Sequence, residues 1–309
     1  MKGGTLPGGG PRITIIGGFL GSGKTTLLKS LLAREFDCGT QPQVIMSEFG
    51  DFDVDSEVIA DERLRIMAVT SGCVCCSSRD ELSDAVTSML QTAPDRPIFI
   101  ETTGVADPSG VLQAVIPIAR QEDATITGVV VVYDASRKLE DGHDRHLVER
   151  QLMTADIVVA NKYDLVTDSM EEIERRIRAI NPVARIAIAV HCDIDLEQIT
   201  QGTTACFATQ PEEVCTDDEY TSLTLRPRGR LDRPSFESWL STLPVEVLRV
   251  KGFVLLEGEA GFFEVQWFPA GYEITPMPSG RWMDAVLVVI SHPLSAESLA
   301  SGLRHCVAG

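Results

Sequence analysis

Short apolar runs alternate with amphipathic stretches through the first two-thirds of the chain. The runs are rich in Val, Ile and Ala, a composition typical of parallel strands that are buried on both faces. Helical spacing of apolar residues separates several of them, as in DELSDAVTSML and SMEEIERRIRAI. This alternation predicts a doubly wound, mostly parallel α/β sheet over residues 11–215. The predicted strands are RITIIG, QVIMS, RLRIMAVT, PIFIE, GVVVVYD, ADIVVA and ARIAIAV.

The pattern changes near residues 205–220, where the acidic stretch QPEEVCTDDEY has no periodicity and is interpreted as a linker. A second set of elements follows, and it predicts a smaller α+β domain over residues 216–309 with helices on one sheet face. In chain order these elements are the strand YTSLTLR, the helix SFESWLSTL, the strands VLRVKGFVLLEG, FFEVQWFP and DAVLVVIS, and the helix SAESLASGLRHC. Residues 1–10, half of them glycine, predict a flexible tail.

Composition and charge limit the classes of partner. A net charge of −18, from 45 acidic and 27 basic residues, would repel a phosphate backbone, so nucleic acid is not expected as a partner. The sequence has no apolar run of the ~20 residues that a membrane helix needs, and its N-terminus does not resemble a signal peptide. We therefore expect a cytoplasmic protein without a membrane partner, whose eight cysteines are thiols or metal ligands. The oligomeric state stays open.

A phosphate-binding loop follows the first predicted strand. The segment GFLGSGKT from Gly18 to Thr25 has the full pattern, in the strand-to-helix context that this loop requires. Backbone N–H groups of such a loop cradle the phosphates, Lys24 reaches the β and γ oxygens, and Thr25 ligates Mg²⁺. The predicted nucleotide-binding residues of this segment are Gly18, Gly21, Ser22, Gly23, Lys24, Thr25 and Thr26.

A second motif, NKYD, closes the predicted strand ADIVVA and supplies Asn161, Lys162 and Asp164 as base-binding residues. A carboxylate at Asp164 can accept from the N1–H and the exocyclic amine of guanine, whereas adenine presents an unfavourable arrangement. The motif therefore favours GTP over ATP. Two other classes stay open: an ATP-dependent P-loop kinase, and a scaffold that nucleotide stabilises without turnover.

The segment ETTG supplies Glu101 and Gly104 at the end of the predicted strand PIFIE. We expect Glu101 to hold Mg²⁺ through water and the N–H of Gly104 to contact the γ-phosphate, which makes both, with Lys24, the predicted catalytic residues. Val105 stands where signalling GTPases carry a water-orienting glutamine, so slow intrinsic hydrolysis is expected. Asp107 and Glu48 are alternative water-positioning residues.

Three cysteines, Cys73, Cys75 and Cys76, form the segment CVCC between the phosphate loop and Glu101. As thiolates they suit Zn²⁺ or another soft or borderline cation, but a tetrahedral zinc shell needs one further ligand. The alternative interpretation is that one or two of them are buried packing residues.

Taken together, GGFLGSGKTTLL, SEFGDFDVD, GCVCC, ETTGVADP and RVKGF resemble the CobW-like GTPases, a family of metal chaperones and metallocentre assembly factors. The resemblance implies GTP-dependent handling of zinc, cobalt or another divalent ion through the cysteine segment. It also implies a ferredoxin-like C-terminal domain and delivery of the metal to a client metalloprotein, a metal-dependent enzyme or a cofactor pathway.

The family's acidic switch segment falls on Glu48, Phe49 and Gly50, with Asp51 where glutamate is usual. Our hypothesis is that Glu48 joins the three cysteines in binding the transferred metal, and that GTP hydrolysis rearranges this segment. Many relatives also carry a histidine-rich stretch. Here only DGHDRH is comparable, and we interpret its two histidines as solvated side chains in a loop.

Overall fold

The computed structural model describes residues 11–46, 65–68, 77–137, 143–195, 215–216, 221–268, 271–277 and 284–308. The chain divides into two compact units. The first covers Met1–Glu174 and Ala184–Gly202, and the second covers Arg175–Val183 and Thr203–Gly309.

Strands and helices alternate along the first unit, as its apolar periodicity predicts. The strands are β1 (Arg12–Gly17), β2 (Gln43–Met46), β3 (Arg65–Ala68), β4 (Ile98–Glu101), β5 (Thr125–Asp134), β6 (Ile157–Asn161) and β7 (Arg185–Ile188). The helices are α1 (Lys24–Asp37), α2 (Ser77–Thr92), α3 (Pro108–Gln121), α4 (His143–Thr154) and the start of α5 (Met170–Ile180), which continues into the second unit from Arg175, and a short 3-10 turn covers Tyr163–Leu165.

The strands of this unit form a seven-stranded sheet in the order β3-β2-β4-β1-β5-β6-β7. Every described pair of neighbouring strands is parallel. Because β1 lies between β4 and β5, the chain winds away from it in both directions, and the loops after β1, β4 and β6 open at one edge of the sheet. This is the predicted doubly wound fold, and the prediction is confirmed.

Helix α1 packs on the centre of this sheet. Leu27, Leu28, Leu31 and Leu32 recur at helical spacing and are buried in one cluster with Ile16 of β1. The same cluster contains Val44, Phe99, Val130, Val132 and Val159 from the neighbouring strands. Burial of these side chains holds the start of α1, and with it the preceding loop, against the end of β1.

The described residues of the second unit after residue 203 form an antiparallel sheet in the order β12-β11-β10-β13-β9-β8 and two helices. Its strands are β8 (Cys215–Thr216), β9 (Thr221–Leu225), β10 (Val247–Leu255), β11 (Phe262–Phe268), β12 (Gly271–Pro276) and β13 (Val286–Ser291). Helices α6 (Arg233–Ser241) and α7 (Ala296–Arg304) cover one face, where Phe236, Trp239, Leu299 and Leu303 are buried with the inward residues of the strands. The unit is the expected α+β sandwich.

Two interpretations of the sequence were wrong. Cys215 and Thr216, which we assigned to the linker, form the edge strand β8, since two residues can pair through their backbones with no hydrophobic pattern to reveal them. His143 and His146 lie in the first turn of α4 and not in a loop. This helix is polar along most of its length, so its periodicity is weak.

None of the described helices combines the length and the apolar composition needed to cross a bilayer.

Candidate functional site

The phosphate loop connects β1 to α1, as predicted. The N–H of Ser22 donates to the carbonyl of Phe19 at 3.2 Å, and Gly23 precedes α1 with a φ of 113°, which favours glycine. A cavity of about 410 Å³ opens beside the loop. Its lining residues are Leu20, Gly21, Gly23, Lys24, Thr25, Thr26, Met46, Glu101, Thr102, Thr103 and Gly104.

Two charged side chains predicted to be catalytic line this cavity together. Lys24 is mostly buried, and its Nζ lies 3.4 Å from the carbonyl oxygen of Phe19. Glu101 ends β4 and is also buried, and its Oε1 accepts a hydrogen bond of 2.8 Å from the Oγ1 of Thr25. The end of β4 is thus joined to the start of α1.

The side-chain oxygen atoms of Thr25 and Glu101 fit a hard divalent cation. Mg²⁺ prefers oxygen ligands and is usually bound by one or two carboxylates together with substrate phosphates. The Thr25 hydroxyl and the Glu101 carboxylate are adjacent oxygen donors at the wall of a cavity that a phosphate loop borders.

The segment after Glu101 is a tight loop. The N–H of Ala106 donates to the carbonyl of Thr103 at 3.1 Å, and the N–H of Val105 donates to the Thr103 hydroxyl at 3.3 Å. A Cβ added to Gly104 would lie 2.7 Å from the backbone N of Leu20, so the close approach of the two loops requires glycine. The carboxylate of Asp107 accepts from the N–H of Ser109 as the cap of α3.

Asn161 ties two loops together at the end of β6. Its Nδ2 donates to the carbonyl of Ser22 at 2.9 Å, and its Oδ1 accepts from the N–H of Cys192 at 2.8 Å. The side chain is buried, so both contacts are shielded from water. Asp164, three residues later, is exposed in the 3-10 turn.

Lys162 is held by a carboxylate that the sequence analysis did not single out. Its Nζ lies 2.7 Å from Asp134 Oδ2, at the end of the neighbouring strand β5. Burial of Asp134 opposes its ionisation, but hydrogen bonds from Lys162 and Ser136 and the charge of Lys162 outweigh this, so its pKa lies below the ordinary value. Asp134 is therefore ionised at neutral pH and anchors the lysine.

Cys192 is a second residue that the sequence analysis missed. Its Sγ donates to the carbonyl of Gly23 at 3.4 Å, and burial raises the pKa of the thiol to about 11. A third is Gln151 of α4, whose amide contacts the loop after Glu101. The only sequence signals were a carboxylate ending the run GVVVVYD and a cysteine following ARIAIAV. Neither sequence segment shows which loop the side chain of Asp134 or Cys192 contacts.

The predicted ligands of the transferred metal, Glu48, Cys73, Cys75 and Cys76, lie outside the described residues. Within the described ranges, no group of three or more His, Cys, Asp or Glu side chains is arranged to hold a metal ion.

The fold and the phosphate-loop cavity define a nucleotide-binding protein with the P-loop GTPase fold. Residues 12–187 match the family described as CobW/HypB/UreG, nucleotide-binding domain, and residues 220–307 match the cobalamin synthesis protein cobW C-terminal domain. The chain belongs to this CobW family, and the resemblance found in its motifs is confirmed.

Two curated relatives are similar to different extents. The chain is 34% identical to the zinc chaperone YjiA of Escherichia coli (strain K12) over 191 residues, which is 60% of this chain and 59% of the relative's length. It is 30% identical to the zinc chaperone CobW of Sinorhizobium sp over 292 residues, which covers 80% of this chain and 82% of the relative.

Among solved structures, the Zn(II)-bound YjiA GTPase from E. coli aligns with a TM-score of 0.61. That alignment covers 96% of this chain and 99% of the other at 22% identity, which supports the fold.

Proposed function

We propose that this chain is a GTP-binding and GTP-hydrolysing metallochaperone, which binds a divalent transition metal and delivers it to a client metalloprotein or cofactor pathway in the cytoplasm. The observation that carries the nucleotide half is the cavity where Lys24, Thr25 and Glu101 converge beside the phosphate loop. Family membership and the names of the two relatives support the metal half.

The catalytic residues in this proposal are Lys24, Glu101 and Gly104. Lys24 neutralises charge on the β and γ oxygens of GTP, and the N–H of Gly104 donates to the γ-phosphate. Thr25 and, through water, Glu101 would hold Mg²⁺, which when bound supplies positive charge to the β and γ oxygens. Since Val105 cannot orient a water molecule, we expect a slow intrinsic rate.

The remaining nucleotide contacts divide between phosphates and base. Backbone N–H groups from Gly18 to Thr26 cradle the phosphates. Asp164, which is exposed at the end of β6, accepts from guanine. Asn161 holds the phosphate loop to the loop of Cys192, and Lys162, fixed by its ion pair, flanks the base.

The metal is substrate in this proposal and binds to the thiolates of Cys73, Cys75 and Cys76, with Glu48 as a further ligand. Zinc, cobalt or a similar ion suits such a set, and cellular availability decides among them as much as affinity. The segment that contains these residues joins the phosphate loop to Glu101 in the chain. Loss of the γ-phosphate on hydrolysis would rearrange this segment and thereby change its affinity for metal. In this proposal the first unit forms the GTPase domain, and the second unit, which includes Cys215 in β8, contributes to client recognition.

Nucleotide turnover tests the first half. Multiple-turnover phosphate release from GTP, competed poorly by ATP, supports a GTPase. ATP that competes as well as or better than GTP would favour the kinase class, and binding without turnover would favour the scaffold.

Metal content tests the second half. Purified protein is analysed for bound metal with and without GTP, alongside Cys75→Ser, with Cys38→Ser as the matched control because Cys38 is an exposed free thiol on the surface of the first unit. We expect the metal content to fall in Cys75→Ser alone. Unchanged metal in that variant would remove the chaperone function and leave the GTPase intact.

A further inference from the structure

A buried amide from α4 holds the loop that follows Glu101. Gln151 is 1% exposed, and its Nε2 donates to the carbonyls of Gly104 and Ala106, at 3.2 Å and 2.9 Å. An amide nitrogen has two hydrogens, so these two carbonyls account for its full donor capacity. Gln151 lies 47 positions from Gly104 in the chain, and nothing in its local sequence indicates this contact.

The contact determines the backbone on both sides of Gly104. The peptide plane before this residue is held by the hydrogen bond from the Ala106 N–H to the Thr103 carbonyl. The plane after it is held by Gln151, through the Gly104 carbonyl. Since peptide groups are planar, fixing both planes sets the φ and ψ of Gly104 and the direction of its N–H.

The loop also lies against the phosphate loop. The backbone of Leu20 in the phosphate loop lies so close to Gly104 that a Cβ there would be 2.7 Å from its nitrogen. The loop thus contacts both the phosphate loop and α4, while the side chain of Val105, between the two bonded carbonyls, is 57% exposed. A second tie from α4 is weaker, because Arg150 Nε and Asp107 Oδ2 are 3.9 Å apart.

We infer that Gln151 is a positioning residue for the γ-phosphate: it holds the 103–107 loop so that the N–H of Gly104 is directed at the third phosphate of GTP. The inference rests on the proposed function, in which Gly104 contacts that phosphate. GDP lacks this group, so the amide contributes to binding of GTP and of the transition state, but not to binding of GDP. Gln151 itself does not contact the nucleotide.

The test is Gln151→Met, which keeps the size of the side chain and removes both donors. The same substitution at Gln91 is the matched control, since that amide lies exposed on α2 and its one described hydrogen bond, of 3.5 Å, goes to Glu122. Affinities for GDP and for a non-hydrolysable GTP analogue are measured by titration calorimetry with Mg²⁺ present, and kcat and KM are measured for GTP.

We expect Q151M to bind the analogue on the order of tenfold more weakly and to hydrolyse GTP with a lower kcat, while its affinity for GDP stays within about twofold of the unmodified chain. Retained GDP binding also shows that the variant is folded. A ratio of analogue to GDP affinity that does not change, or a parallel loss of both affinities, would overturn the inference. If Q151M does not fold, Gln151→Asn replaces it, because the amide is kept but is one methylene too short to reach both carbonyls. The ratio of analogue to GDP affinity is then expected to fall in the same direction.

The outcome is separable from that of the proposed function. If the unmodified chain binds neither guanine nucleotide, the proposed function fails. If it binds both and Q151M leaves their ratio unchanged, only the role of Gln151 fails.

Discussion

Replacing Asn161 with alanine should destabilise the protein in the absence of nucleotide, because this side chain joins two loops in addition to its proposed place near the base. The substitution removes the hydrogen bonds to the Ser22 carbonyl and from the Cys192 N–H, both inside a site where the asparagine is 3% exposed. Each backbone group left unsatisfied costs ~1–2 kcal/mol, so the free energy of unfolding should fall by about 2–4 kcal/mol.

Urea denaturation followed by far-UV circular dichroism measures this change. Asp164→Ala is the matched control from the same motif, since Asp164 is exposed and its loss should change the free energy of unfolding by no more than ~0.5 kcal/mol. Asp164→Ala should instead reduce the preference for GTP over ATP by on the order of tenfold or more. A loss below ~0.5 kcal/mol for Asn161→Ala would refute the structural role that we assign to it.

Three further changes probe the site and the core. Gly23→Ala places a Cβ 2.6 Å from Asn161 Nδ2 at a φ of 113°, so calorimetry should show nucleotide affinity reduced by on the order of tenfold or more, and wild-type affinity would contradict the loop geometry. Asp134→Asn leaves the ammonium of Lys162 without its carboxylate and should cost ~1–2 kcal/mol at neutral pH in denaturation experiments. Because the folded-state pKa of Asp134 is lowered, its contribution to the free energy of unfolding is present above the ordinary carboxyl pKa and is lost as the pH falls through the lowered pKa. If the free energies of unfolding of variant and wild type still differ in strong acid, the ion pair is not the cause. Phe236→Ala removes a fully buried ring from the second unit and should lower the free energy of unfolding by ~3–5 kcal/mol, whereas a change under ~1 kcal/mol would contradict its place in the core.

The sheet of the first unit could be predicted because strands such as β2, β4 and β6 are buried on both faces and so appear as uninterrupted apolar runs. Helix α4 could not be delimited, since HDRHLVERQLMT is mostly polar and its fully buried residues fall in the last turn. Strand β12 was missed for a related reason: it lies at the edge of its sheet, and its residues are largely exposed.

The phosphate loop and the NKYD motif could be located from sequence because each is a short segment whose local backbone conformation brings its groups together. The supporting contacts are different in kind. Gln151 reaches Gly104 across 47 positions, Lys162 reaches Asp134 across 28, and Cys192 reaches Gly23 across 169. Such pairs can be identified only when the order of strands in the sheet is known, because periodicity and motif spacing carry no information about contacts between distant segments.

In the proposed function, the nucleotide state of the phosphate loop changes the affinity of the cysteine segment for metal. The most direct measurement is the Zn²⁺ dissociation constant of the full chain with a non-hydrolysable GTP analogue, with GDP and without nucleotide, determined by competition with a metal-binding dye. We expect the dissociation constants of the analogue and GDP states to differ by about 5- to 150-fold, the usual range for coupled sites. Equal dissociation constants in all three states would contradict it.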